Sequence, residues 1–99
     1  METPEDLVIN RVEGPSKGRY VARLDGVEAE MTYSRAGAAI VIIDHTSVPD
    51  ALRGRAVGRA LVERAVEDAR REGRAIIALC PFAKAQFDRH PEWQDVLRR

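Results

Sequence analysis

The sequence predicts an α/β fold, more narrowly α+β: a mixed sheet made of a four-strand antiparallel meander, a βαβ crossover to a parallel fifth strand, and two short C-terminal helices. Three observations predict it. Two stretches of period-two alternation flank an Asp-Gly pair, two short apolar runs lack alternation, and one amphipathic helix lies between those runs. The chain has 99 residues, enough for one hydrophobic core and too few for two. Residues 1–99 are therefore expected to form a single minimal domain, with residues 1–6 unstructured.

Leu7 to Val12 reads as the first strand, ended by the turn cluster Glu13-Gly14-Pro15-Ser16. Tyr20, Ala22 and Leu24 then alternate with Arg19, Val21 and Arg23. After Asp25-Gly26, Val27, Ala29, Met31 and Tyr33 alternate with Glu28, Glu30 and Thr32. Asp-Gly favours a type I′ turn, which needs positive φ at both central residues. Such a turn pairs Leu24 with Val27 and sets Arg23 opposite Glu28 on the wet face. The other face, from Tyr20 to Met31, goes to the core. Ser34 to Gly37 makes a further turn, and Ala38 to Ile43 is apolar without alternation, the mark of a strand buried on both faces.

A polar loop follows from Asp44 to Arg55, then a helix from Ala56 to Glu72. Val57, Leu61, Ala65 and Ala69 recur at three- and four-residue steps, while Glu63, Glu67, Asp68, Arg70 and Arg71 are expected to face water. Gly73 stands where a C-terminal cap belongs. Ala75 to Leu79 is a second buried strand. Pro81 and Pro91 each suit a first helical position, so two short helices close the chain. Trp93, Val96 and Leu97 are spaced to dock one face, and His90 reads as a surface residue or a cap. Arg70, Arg71, Arg98 and Arg99 are expected on a solvated face. A strand–helix–strand crossover makes its two strands parallel. The segments after Ile43 and after Leu79 therefore emerge side by side.

Composition narrows the partners. The longest apolar run, Ala36 to Ile43, falls far short of the roughly 20 residues of a membrane span. The acidic start, Met1 to Asp6, lacks the basic and apolar pattern of a signal peptide and points to the cytoplasm. A formal net charge of zero gives no reason to expect nucleic acid. Cys80 is the single cysteine, which excludes an internal disulfide, and the two widely spaced histidines, His45 and His90, do not make a metal site. The expected state is a monomer or weak homodimer without metal, membrane or nucleic-acid partner.

Chemistry is best sought where the two parallel strands end. The loop into the helix, Arg53-Gly54-Arg55-Ala56-Val57-Gly58-Arg59, holds two glycines and three arginines. A helix N-terminus offers unpaired N–H groups, small residues let phosphates approach the backbone, and arginine supplies charge-assisted hydrogen bonds. An anion site is one reading, and a pyrophosphate would fit it. The other is that Gly54 and Gly58 only permit a turn and close helix–sheet packing. The loop is neither a P-loop nor a G-x-G-x-x-G loop.

The stretch from Ile40 to Leu61 resembles the core of the GNAT superfamily of acyl-CoA-dependent N-acetyltransferases, whose signature is Q/R-x-x-G-x-G/A. Arg53-Gly54-Arg55-Ala56-Val57-Gly58 matches it except at Ala56, where the signature has its first glycine. A small single-domain GNAT-like subgroup also carries three further runs. They correspond here to His45-Thr46-Ser47-Val48-Pro49, Cys80-Pro81-Phe82 and His90-Pro91-Glu92-Trp93. The resemblance spans Tyr20 to Leu97.

What the resemblance implies is acetyl-CoA as donor, an amine as acceptor, and a pyrophosphate held by Arg53, Gly54, Arg55, Ala56, Val57, Gly58 and Arg59. Thr46 and the backbone around Val48 would meet the pantetheine arm between the parallel strands, with Lys84 and Phe87 flanking it. The acyl end would then lie near His45 and Cys80, as topology also suggests. Cys80 before Pro81 takes a helix N-cap position, which favours a thiolate, and could carry an acyl-thioester. His45 could act as general base. Each has a structural alternative: Cys80 as a small hydrophobe closing a strand, His45 paired with Asp44 or the loop, Phe87 in the core. A non-catalytic coenzyme A-binding sensor or interaction module is the alternative function.

Overall fold

The computed structural model describes residues 3–98. Its strands are β1 (Val8–Glu13), β2 (Lys17–Leu24), β3 (Val27–Ala36), β4 (Ile40–Ser47) and β5 (Ala75–Ala78), and its α-helices are α1 (Val57–Glu72) and α2 (Pro81–Arg89). Short 3-10 turns cover Asp50–Leu52 and Pro91–Trp93. The strands form one sheet in the order β1-β2-β3-β4-β5, antiparallel up to β4 and parallel between β4 and β5. This is the mixed sheet that the alternation and the crossover predict.

The β2–β3 hairpin shows why. Asp25 and Gly26 take φ of 53° and 76°, so Leu24 pairs with Val27 and Arg23 with Glu28 in register. Tyr20, Ala22, Leu24, Ala29, Met31 and Tyr33 all point into the core. From α1, Val57, Leu61, Val62, Ala65, Val66 and Ala69 meet them.

Five expectations need correction. β4 and β5 are not buried on both faces: Val41, Ile43 and Ile76 are buried, but Ile40, Ile42 and Ile77 are only half-buried and Leu79 is exposed. The reason is that α1 and α2 cover the same face of the sheet, leaving the other face bare. β4 also runs on to Ser47, where a loop from Asp44 was expected; a bulge after Ile43 absorbs Asp44 and keeps the strand paired with β3. The last helix is reduced to the turn Pro91–Trp93. After it the chain pairs with the free edge of β5, through Ile76 N–H to Val96 O at 2.7 Å and Arg98 N–H to Ile76 O at 2.8 Å.

The fourth correction concerns charge. Asp68, expected to face water, is 1% exposed. It accepts from Tyr20 Oη at 2.8 Å and pairs with Arg11 and Arg64, each at 3.4 Å, and with Arg71. Arg70 is likewise tied down, to Asp95 at 2.7 Å. Residues 3–6, expected to be unstructured, make a turn closed by Leu7 N–H to Pro4 O at 3.2 Å. Met1, Glu2 and Arg99 lie outside the described residues. No helix among the described residues is long and apolar enough to cross a membrane.

Candidate active site

The site begins where β4 and β5 part. Their pairing stops at Ile43 and Ala78, and the N–H groups of Leu79 and Cys80 both turn back onto Ile43 O, at 3.1 and 3.2 Å. β4 continues to Ser47, bonded to β3 on one side only. Its other edge therefore faces no strand, and a slot opens between it and the start of α2. Cys80 occupies the N-cap position of α2 but makes no capping bond with its side chain. Instead its thiol donates to Thr46 Oγ1 at 3.4 Å, and the residue is 4% exposed.

The loop entering α1 forms the second part. Leu52 is buried and anchors it to the core. Gly54 (φ 77°) and Ala56 (φ 62°) are both left-handed, and Ala56 is the N-cap of α1. An alanine side chain cannot accept a hydrogen bond, and the first turn of α1 holds no acidic residue. The opening N–H groups of the helix are thus left without a side-chain cap. A Cβ at Gly58 would stand 2.4 Å from Cζ of Phe82, so this glycine lets the Phe82 ring close over the helix start.

Between loop and α2 lies a cleft of about 630 Å³. Of the residues singled out in the sequence, Thr46, Val48, Arg53 and Gly54 line it, as do Ala56, Val57, Gly58 and Arg59. Arg53, Arg59, Arg89 and His90 supply its charged and titratable lining, and none of the described residues on its walls is a carboxylate. Arg55 is elsewhere, bonded to Asp25 at 2.9 Å. Lys84 is exposed and outside the lining, and Phe87 is in the core, edge-on to Trp93 at 5.9 Å. His45 does not meet Cys80 through any hydrogen bond among the described residues. It is exposed and pairs with Thr32, on the bare face of the sheet, whereas Thr46 pairs with Met31 on the core face. Successive strand residues point to opposite faces, so only one of His45 and Thr46 could share a side with Cys80.

On α2 the cleft is lined by Phe82, Gln86, Arg89 and His90. Sequence reading did not assign these four to the site. Phe82, Gln86 and Arg89, at steps of four and three, define one helical face, with His90 just past its end, and that face was the available signal.

Family and structural comparisons agree with this geometry. The family model for GCN5-related N-acetyl-transferases matches residues 19–96. The NMR solution structure of a GCN5-like candidate N-acetyltransferase from Staphylococcus aureus is 35% identical, with a TM-score of 0.70 over 96% of this chain and 91% of that one. The crystal structure of nourseothricin acetyltransferase shares the fold at 24% identity, with a TM-score of 0.54 over 72% of this chain and 57% of that one. No curated protein matches. With a fitted family model over most of its length, a parallel slot ending at Cys80 and an arginine-lined cleft at the start of α1, the chain belongs to the GCN5-related N-acetyltransferase family.

Proposed function

We propose that the chain, acting as one minimal domain, takes an acetyl group from acetyl-CoA in the cleft and passes it to an amine by way of Cys80. The observation that carries this is the cleft itself: arginines and no carboxylate among its described lining residues, and an unpaired strand edge whose Thr46 bonds the buried thiol of Cys80, which lies just behind the lining. The residues present fit the donor. Arg53, Arg59 and the uncapped N–H groups at Val57 and Gly58 suit a pyrophosphate. The open edge of β4 from Asp44 to Val48 suits an extended amide-bearing arm, which can bond to a strand edge as another strand would. When bound, acetyl-CoA supplies an activated thioester carbonyl.

The chain's own groups then divide the work. Thr46 Oγ1 accepts from the Cys80 thiol and fixes where Sγ points. Sγ attacks the carbonyl carbon, the bond from that carbon to the donor sulfur breaks, and the thiol proton leaves with the departing sulfur. The acceptor amine then attacks the acetyl carbon on Sγ, the bond from that carbon to Sγ breaks, and the proton lost by the amine returns to Sγ.

Intact-mass measurement after mixing with acetyl-CoA and no amine tests the covalent step. One acetyl group should appear on wild type and none on Cys80→Ala. Undiminished multiple turnover by Cys80→Ala would refute the acyl-cysteine and leave direct transfer from donor to amine.

A further inference from the structure

The function proposed above uses the wall of the cleft formed by the Arg53–Gly58 loop. The other wall is the α2 face, and at its far end stand Arg89 and His90. Nine to ten residues of helix separate them from Cys80, which is about 14 Å along the axis. Their state differs from that of the other cleft cations. Arg53 has Asp50 at 3.1 Å and Arg59 has Glu63 at 3.7 Å. Among the described residues, Arg89 has no carboxylate within ion-pair distance.

His90 is held in one orientation and one tautomer. Its ring stacks on Trp93, with centroids 3.9 Å apart and planes 11° from parallel. Nδ1 lies 2.7 Å from the carbonyl oxygen of Gln86. A carbonyl only accepts, so Nδ1 carries the hydrogen and donates it. Nε2 is left as the ring atom available to a ligand. The charged groups sharing the cleft with it are Arg53 and Arg59 from the loop and α1, and Arg89 from α2. Asp88 and Glu92, its nearest carboxylates in sequence, do not line the cleft.

We propose that Arg89 and His90 form a subsite for a phosphate monoester at the nucleotide end of the donor, separate from the pyrophosphate at the loop. The proposal rests on the acetyl-CoA reading above. A phosphate dianion accepts charge-assisted bonds from a guanidinium. It also accepts a hydrogen bond from Nε2–H of an imidazolium ring. Arg89, in the last turn of α2, also opposes the negative end of the helix dipole. That role alone would affect melting and leave ligand preference untouched.

Isothermal titration with coenzyme A and with 3′-dephospho-coenzyme A separates the two roles. Wild type should bind coenzyme A tighter by roughly tenfold or more. Arg89→Gln and His90→Gln should each narrow that gap, and together bring the two ligands within about twofold, while Arg89→Lys keeps part of it. Affinity for the dephospho form should not change, which also reports that the variants are folded. Equal affinity of wild type for both ligands would overturn the subsite and leave the acetyl-CoA reading standing. A preference retained in the double variant would overturn it too, and failure of either ligand to bind would remove both proposals.

Discussion

The two ends of α1 put arginine to opposite uses. In its C-terminal half, Arg64 and Arg71 join Arg11 from β1 around the carboxylate of Asp68, and Arg11 also reaches Glu13 and Glu72, each at 2.6 Å. Every charge there has a protein partner, and the cluster ties β1 and β2 to the helix. At the N-terminal end, arginines line a cleft with no carboxylate among its described lining residues. The first arrangement gathers its charges into one partly buried cluster, whereas in the second Arg53 and Arg59 pair with Asp50 and Glu63, acids close by in sequence that do not line the cleft. The residue type is the same; what differs is that a distant strand brings Arg11 to the helix's own Asp68 and Glu72 at one end, while at the other the acids are only local ones.

The largest expected effect comes from breaking the matched end. Asp68→Asn leaves Arg11, Arg64 and Arg71 facing a neutral group in a buried place, and should cost about 3 kcal/mol, a fall in Tm on the order of 15 °C for a chain of this size. Its pH dependence sharpens the point. Burial works against ionisation of Asp68, yet bonds from Tyr20 and Arg71 and the charges of Arg64 and Arg71 hold its carboxyl below the usual range. Glu13 is also held low, by the Tyr33 hydroxyl first and against the cost of burial, with Arg11 and Arg35 assisting. A lowered carboxylate stabilises the fold above its unfolded-state range, about pH 4, and that stability is lost as pH falls through the folded value. Wild type and Asp68→Asn should therefore differ in melting temperature at neutral pH and converge in acid. A gap that persists at about pH 2 would count against the carboxylate as its source.

At the cleft end, effects should be smaller. Gly58→Ala sets a Cβ against the Phe82 ring and should cost about 1–2 kcal/mol in urea denaturation. Adding Phe82→Leu should restore part of that loss, since contacting residues do not behave additively. Smaller again is Ala56→Gly, which removes the strain of a left-handed alanine. We expect a gain of about 1 kcal/mol in stability. A loss would show that the loop depends on the alanine methyl.

Much of the fold was legible because its signals are local. Asp25-Gly26 fixes the hairpin by backbone sterics alone, and the crossover follows from one amphipathic helix between two apolar runs. The burial of Asp68 was not legible, since its polar position on the helix looks solvated until Arg11, distant in the chain, arrives beside it. The bare face of β4 and β5 was missed for a related reason. Isoleucine at 40, 42 and 77 erases the alternation that would have marked a one-sided sheet. For the site, the loop from Arg53 to Arg59 could be read from glycine and charge. On α2 the sequence offers Phe82 and Phe87, and only packing shows that Phe87 belongs to the core and Phe82 to the cleft.

One consequence of the bare face concerns colloidal behaviour more than folding. Ile42 and Ile77 share that face with the cross-strand pairs Arg19–Glu30 and Arg23–Glu28. Each exposed pair adds at most a fraction of a kcal/mol to stability. Their greater effect is to keep a half-apolar sheet surface hydrated and ill-suited to stacking on a like surface. Replacing the four charged residues by Thr should barely move the melting temperature, yet should lower the concentration at which the protein turns turbid.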